Sequence, residues 1–222
     1  SMADFLDTAQ AHPEICSVFA QDDGASMIQT LLLYAPDAFI DYDAAQASFD
    51  SPEFLRLLEL AKRQTQPEAE SPREALLTGQ TLLEQLMFGR TQEFEAEYAD
   101  GLNELSFPGF PGAGRASFYL TLPMAIPVNA QEKEGAWAFL KLLITEPLYA
   151  ARSRGGWLPL QSDFEKKTAA MTDTDAQQLL RELQTEAVSV FEYDAAVSGI
   201  LADELPYYFA EEQSAGQIAD RI

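Results

Sequence analysis

Apolar residues return every three or four positions in several separate stretches of the chain, which is the spacing of a buried helix face. The clearest stretch is Pro52–Arg63, because Ser51 supplies a cap before it and Pro52 occupies its first turn. The same pattern predicts further helices over Ala3–Ala11, Ala25–Tyr34, Arg73–Leu77, Gln92–Tyr98, Gln131–Thr145, Asp173–Glu186 and Ser214–Ile222.

Shorter apolar runs bounded by turn residues predict β-strands between these helices. They cover Ile15–Phe19, Gln80–Phe88, Leu105–Phe107 and Phe118–Val128. Strands that alternate with helices indicate an α/β layer fold, here with a helix-rich C-terminal third.

Polar spacings predict how helices in the C-terminal third begin. A serine or threonine followed three residues later by an acid or glutamine is typical of a capping box. The pairs are Ser162 with Glu165, Thr172 with Asp175 and Ser214 with Gln217. Earlier in the chain, Trp137 shares an apolar helical stripe with Leu140 and Ile144, so we expect Trp137 to lie in the core.

The net charge of −22 narrows the range of partners. Nucleic acid and anionic membrane surfaces attract basic proteins, so neither is expected to bind. The acidic excess is typical of a secreted or surface protein that uses charge for solubility. The alternative is calcium binding, but Asp41-x-Asp43 and Asp173-x-Asp175 both lack the glycine and glutamate spacing of a calcium loop. We therefore expect no metal and no other cofactor.

Residue types that carry catalysis are scarce. His12 is the only histidine, and its place before a proline in a predicted turn is poor for a general base. Cys16 is the only cysteine and lies in an apolar run, so we interpret it as a buried structural thiol. The glycines at 109, 112 and 114 lack the lysine and the strand-to-helix setting of a phosphate loop. We therefore predict no catalytic residues and a binding protein instead of an enzyme.

The stretch from Ser106 to Leu160 carries the most specific pattern. An apolar run ends in Ala125-Ile126-Pro127-Val128-Asn129-Ala130, an amphipathic helix follows over Glu134–Leu143, and a Gly155-Gly156-Trp157-Leu158-Pro159 loop comes next. This order resembles the family 1 extracellular solute-binding proteins that feed ABC sugar importers. The resemblance implies a type II periplasmic-binding-protein-like C-terminal lobe. It also implies that a carbohydrate or similar small solute binds in a cleft between lobes, which closes about a hinge.

Sugar rings have apolar faces, so a sugar site needs an aromatic platform with polar groups at its rim. Trp157 is the strongest candidate, because two preceding glycines free the backbone that presents it. The resemblance adds Phe88, with Met87 as the alternative, and Tyr119, which begins a strand together with Phe118. It also adds the start of the helix after the first strand, where Asp23 and Ser26 are the predicted ligand-binding residues beside Asp22 and Gly24. We expect Trp157 and at least one of Phe88 and Tyr119 to line one concave surface. The alternative is that Trp157 and Phe88 are ordinary core residues.

The resemblance also divides the chain. Residues 1–115 and 152–222 correspond to the C-terminal lobe, and residues 116–151 to a strand-helix segment that returns to an N-terminal lobe in the family. Full members are longer, and the acidic, polar start of this chain predicts no secretion signal, so we interpret the chain as a trimmed form of a longer protein. Without that lobe the Phe118–Ile144 segment would be exposed, which predicts a homodimer, a swapped assembly or a rearrangement that packs the segment against the C-terminal lobe.

The resemblance names partners as well. They are the small solute and the ABC permease subunits, and the parent protein is lipid-anchored at the cell surface or periplasmic. The alternative function is an acidic protein-interaction module that uses the helical C-terminal third and has no small-molecule ligand. Trp157 distinguishes the two, since a cleft wall favours solute binding and a core position favours the interaction module.

Overall fold

The computed structural model describes residues 1–20, 22–108, 115–116, 124–145, 161–187 and 194–222. Helices predominate among these residues and the strands are short, so the fold is mixed α/β and helix-rich. The helices are α1 (Met2–Ala11), α2 (Gly24–Tyr34), α3 (Pro52–Lys62), α4 (Pro72–Leu77), α5 (Thr91–Ala99), α6 (Lys133–Thr145), α7 (Gln161–Ala169), α8 (Thr174–Glu186), α9 (Ala195–Phe209) and α10 (Ala215–Ala219). The strands are β1 (Ser17–Phe19), β2 (Ile40–Asp41), β3 (Gln46–Ala47) and β4 (Thr81–Leu83).

The strands form two separate pairs. β1 and β4 are parallel, with Ser17 opposite Thr81 and Phe19 opposite Leu83. β2 and β3 form an antiparallel hairpin. Parallel strands need a long crossover connection, and the chain between β1 and β4 supplies it with α2, the hairpin, α3 and α4.

The chain divides into two compact units. Among the described residues, the first unit holds 1–86, 115–116 and 194–222, which include α1–α4, both strand pairs, α9 and α10. The second unit holds 87–108, 124–145 and 161–187, which include α5–α8. No helix in the described ranges is both long and apolar enough to cross a membrane.

The core of the first unit is built on α2 and α3, which pack against each other. Their fully buried side chains are Met27, Ile28, Leu31, Phe54, Leu57 and Leu58. The Phe54 ring meets two further rings edge to face, with centroids 5.2 Å from Phe39 and 4.9 Å from Phe49. Such pairs add about 0.5–1.5 kcal/mol beyond the area they bury, so this aromatic cluster anchors α3.

The start of α2 lies so close to α3 and α9 that no side chain fits there. Gly24 is buried, and a Cβ at this position would overlap the carbonyl oxygen of Ala61. The same Cβ would lie 2.6 and 2.8 Å from two ring carbons of Phe209. Gly24 therefore permits three helices to meet at the point where the chain leaves β1 and enters α2.

Both sides of β1 are hydrogen-bonded. On its outer side, the Val18 N–H donates to Oε1 of Gln64 at 2.6 Å, and the Thr65 N–H donates to the Cys16 carbonyl at 3.0 Å. On the β4 side, the Cys16 thiol donates to the Gln80 carbonyl at 3.1 Å. The thiol is half-buried, not fully buried as the sequence predicted, yet its bond to Gln80 gives it a structural role. The loop after α3 thus covers what would be an open strand edge.

In the second unit, one carboxylate joins α5 to the start of α8. Oε1 of Glu95 accepts from the Thr172 hydroxyl at 2.7 Å and from the N–H groups of Thr172 and Asp173, both at 2.6 Å. The bond from the Thr172 hydroxyl is the main cause that lowers the pKa of Glu95. Asp173 itself caps α8 by accepting from the N–H groups of Asp175 and Ala176, each at 2.9 Å.

The predicted helices are largely confirmed. α3 ends one residue before the predicted limit, and α6 begins two residues after it. The predicted capping box at Ser214 and Gln217 is present, although α10 ends at Ala219, short of Ile222. The mixed α/β class is confirmed as well.

The strands are shorter than predicted. β1 begins at Ser17, not at Ile15, and β4 ends at Leu83, not at Phe88. Parallel pairing stops at Leu83 because its partner Phe19 is the last residue of β1 before the chain turns into α2.

Two segments predicted as strands are not strands. Leu105–Phe107 follows a helical turn, to which the Leu105 N–H remains bonded, and it ends at Pro108. Met124–Val128 is also not a strand, because Pro127 has no N–H to donate to a ladder. Residues 118–123 of that predicted strand lie outside the described residues.

Two predicted caps and one predicted core residue are wrong. Ser162 lies inside α7, and Asp173, not Thr172, caps α8. Trp137 is 57% exposed instead of buried. The half-buried face of α6 carries Ala136, Leu140 and Leu143, and Trp137 lies about a quarter turn away from it.

We expect Gly24→Ala to lower the free energy of unfolding by at least about 1–3 kcal/mol, because the added methyl group has no space beside Ala61 and Phe209. Gly216→Ala is the matched control. A Cβ there meets open space at an exposed position of α10, so the change should stay below about 1 kcal/mol. Urea denaturation of both variants measures the difference, and equal effects would contradict the tight contact.

Candidate functional site

The carboxyl ends of β1 and β4 lie at one edge of the parallel pair. In open α/β sheets, ligands bind outside the carboxyl ends of the strands. β1 ends at Phe19 and leads through Asp22 and Asp23 into α2, while β4 ends at Leu83 and leads into Glu84 and Gln85. This carboxyl edge is the candidate site of the first unit.

Asp23 and Ser26 form the start of α2. Oδ1 of Asp23 accepts from the Ser26 N–H at 2.8 Å, which makes Asp23 the N-cap of the helix. The bonds from the backbone and side chain of Ser26 lower the pKa of Asp23. Both residues are exposed, and the Ser26 hydroxyl also bonds to the Asp23 carboxylate.

A stripe of polar side chains continues from the cap along α2. Ser26, Thr30 and Tyr34 follow one another at intervals of four residues on one face of α2, and Asp22, which precedes the cap, accepts a hydrogen bond from the Thr30 hydroxyl. Tyr34 forms a side-chain hydrogen bond with Gln85, and this bond ties the stripe to the segment after β4. We call Asp22, Ser26, Thr30, Tyr34 and Gln85 the α2 polar stripe.

Burial changes the acidity of two residues of the α2 polar stripe. It is the main cause that raises the pKa of Asp22, with the Asp23 charge acting in the same direction and the Thr30 hydroxyl opposing it. Burial also raises the pKa of Tyr34, and the Asp22 charge adds to that effect.

An ion pair braces the same edge. Nε of Arg73, on α4, lies 2.6 Å from Oε2 of Glu84, the first residue after β4. The two side chains are only 15% and 10% exposed, so water screens this pair weakly. The pair fixes the chain that carries Gln85, and it neutralises the charge of Glu84 at this edge.

Among the remaining predicted site residues, Phe88 is one that the structure describes. Phe88 belongs to the second unit, where its half-buried ring packs edge to face on Phe94 with centroids 5.1 Å apart. Trp157 and Tyr119 lie outside the described residues, and so does the concave surface predicted for them.

Three residues of the stripe were missed by sequence reasoning: Thr30, Tyr34 and Gln85. The four-residue spacing that begins at Asp22 was a usable signal for Thr30 and Tyr34, since it marks one helix face. Gln85 carried no such signal, because its contact with Tyr34 spans 51 positions of the chain.

His12 contacts a carboxylate that is close to it in the chain. Nδ1 of His12 lies 3.0 Å from Oε1 of Glu14 at an exposed site. Ser17 is buried nearby, beside a cavity of about 10 Å³ that His12 also lines, but its hydroxyl has no hydrogen-bond partner in the described structure. That volume is room for about one water molecule. Within the described ranges, no group of three or more His, Cys, Asp or Glu side chains is placed to hold a metal ion.

Comparisons with known proteins identify no relative: no protein-family model matches the chain, and no curated protein matches it.

We expect Asp22→Asn to stabilise the protein at neutral pH by less than about 1 kcal/mol, because the half-buried carboxylate is partly screened by water. The folded pKa of Asp22 is raised above its ordinary 3.8, so the cost of its charge is absent below that value. The cost appears as the pH rises through the raised pKa, and the asparagine removes it.

Asp23→Asn is the matched control for that experiment. The pKa of Asp23 is lowered, so its charge stabilises the folded state above the ordinary value and this contribution is lost as the pH falls. Asparagine retains the cap but not the charge, so thermal unfolding at neutral pH should show a small loss. Shifts of the same sign in both variants would contradict the two environments.

Proposed function

We propose that this chain is the C-terminal portion of an extracellular solute-binding protein that delivers a carbohydrate or similar small solute to an ABC importer. The observation that carries the proposal is the α2 polar stripe, which begins at the shared carboxyl edge of β1 and β4. Parallel strands that end beside a capped helix start are a common setting for small-molecule binding.

The chemistry of the α2 polar stripe and of the neighbouring Asp23 suits a ligand rich in hydroxyl groups. Asp22 and Asp23 supply carboxylate oxygens that accept hydrogen bonds, while Ser26, Thr30 and Tyr34 supply hydroxyls that donate and accept. Gln85 adds a side-chain amide, which has both donor hydrogens and an acceptor oxygen. Its bond to Tyr34 already orients it. A sugar presents alternating donors and acceptors of this type, whereas an anionic solute would meet the charges of two aspartates.

The family resemblance supplies the rest of the proposal. Its helical motif over Glu134–Leu143 falls within α6, which is a helix as the resemblance requires. On this basis we propose a type II periplasmic-binding-protein-like lobe, with residues 116–151 returning to a second lobe. We also propose that the protein binds without catalysis, works outside the cell or in the periplasm, and hands its solute to permease subunits.

An acidic protein-interaction module is the second candidate. It is favoured by one observation, the exposure of large apolar side chains on α6 in a chain of net charge −22. A purified chain that binds no member of a broad sugar panel would favour this candidate.

Calorimetric titration with neutral monosaccharides and oligosaccharides, amino sugars and uronic acids tests the proposal. We expect a neutral sugar to bind and a uronic acid of the same size to bind more weakly. Tyr34→Phe should weaken the neutral sugar while leaving the fold intact, because it removes only one hydroxyl from the stripe. Preference for the uronic acid would count against the charge assigned to the site.

The two tryptophans offer a matched pair of variants. The resemblance assigns Trp157 as the aromatic platform, so Trp157→Ala should weaken sugar binding by roughly 1–3 kcal/mol with little change in melting temperature. Trp137→Ala is the control, since Trp137 is exposed on α6 and has no proposed role in solute binding. A large loss of stability with unchanged affinity in Trp157→Ala would show that Trp157 is a core residue.

A further inference from the structure

Helix α6 presents two different faces. Ala136, Leu140 and Leu143 are half-buried and form the inner face. The outer face is exposed and carries two large apolar side chains, since Trp137 is 57% and Leu142 52% accessible to solvent, while Phe139, 59% accessible, lies between the two faces. Large apolar side chains exposed together on one helix mark a surface that associates with protein.

The order of residues on the outer face allows two helices to approach closely. Glu134, Ala138 and Lys141 follow at spacings of four and three residues, so they form a line along the helix. Trp137 and Leu142 flank that line on its two sides. The small Ala138 at its centre leaves room for a neighbouring backbone, and the two large side chains can pack around it.

Local charge indicates what kind of chain covers this face. The described segment 124–145 contains Glu132 and Glu134 against Lys133 and Lys141, so its formal charge is zero. The whole chain carries −22, so two copies repel each other overall. The outer face of α6 is therefore a place where two copies can meet without local repulsion.

We propose that α6 pairs with α6 of a second copy in an antiparallel contact about a two-fold axis at Ala138. A two-fold axis makes the contact self-complementary, because each residue meets the same set of residues on the other copy. In this register, Glu134 of one copy and Lys141 of the other lie at the same end of the contact, so unlike charges adjoin at both ends.

The size of the surface predicts a reversible dimer. Four larger side chains that each hide roughly 100 Å², with a smaller contribution from Ala138, give about 450 Å² per copy and about 900 Å² in total, which is the size of a weak, transient contact. The sequence predicts a homodimer whose contact is the whole segment Phe118–Ile144. The present proposal assigns the contact to one face of α6 and gives its register, and it is independent of whether a solute binds.

Sedimentation velocity over a range of protein concentrations measures the association. We expect a monomer–dimer equilibrium that strengthens as salt rises from about 0.02 M to about 0.3 M, because salt screens the repulsion between two chains of −22. A monomer at every concentration and salt level would overturn the proposal.

Ala138→Glu tests the position of the axis. Glutamate is a good helix former at an exposed position, but in the dimer it places two carboxylates against each other. We expect the dissociation constant to rise about tenfold or more. Leu77→Glu is the control, since Leu77 is 61% exposed on α4 and outside the proposed contact, and it should leave dimerisation unchanged. If neither change affects dimerisation, the dimer contact lies elsewhere on the surface and the proposal is overturned.

Charge exchange tests the register. Glu134→Lys and Lys141→Glu should each weaken the homodimer, because each brings like charges together at both ends. An equimolar mixture of these two variants should form a heterodimer more readily than either forms a homodimer. If the mixture associates no better than the separate variants, the antiparallel register is wrong.

Discussion

The contact at Gly24 is the constraint on which the first unit depends. There the start of α2 meets the Ala61 carbonyl of α3 and the Phe209 ring of α9 at distances that exclude any side chain. Because α2 and α3 also supply the largest buried side chains of the core, this contact fixes the helix pair around which the unit packs. It also fixes where the chain emerges from β1, and so it places the carboxyl edge.

Two neighbouring aspartates show how the position of the carboxyl edge determines the properties of the candidate site. Asp23 lies at the helix start, where backbone N–H groups stabilise its charge and lower its pKa. Asp22 lies one residue earlier and is half-buried, and burial raises its pKa. The geometry of the junction between β1 and α2 thus shifts the pKa values of two adjacent carboxyl groups in opposite directions. A ligand that donates hydrogen bonds to Asp22 would compensate for the water that folding removes from it.

The sequence predicted what local forces determine. Helices such as α3 and α8 were recognised because spacing and caps lie within a few residues of each other. The end of β4 at Leu83 was not predicted, because pairing stops where its partner β1 stops, 64 positions earlier in the chain. Likewise, an apolar stripe identifies Trp137 as helical but does not tell which side of α6 packs on its own unit. Within the site, Asp23 and Ser26 were named through the resemblance, whereas Gln85 joins them only through tertiary structure.

The central claim is that a solute rich in hydroxyl groups binds at the carboxyl edge of β1 and β4. Amide hydrogen exchange of the full chain, with and without the sugar selected by calorimetry, measures this most directly. The first N–H groups of a helix lack intrahelical partners, so they respond to a ligand placed beside them. We predict slower exchange at residues 22–26 and 84–86 when the sugar is bound. Binding that leaves exchange in both segments unchanged, with protection confined to other parts of the chain, would contradict the claim.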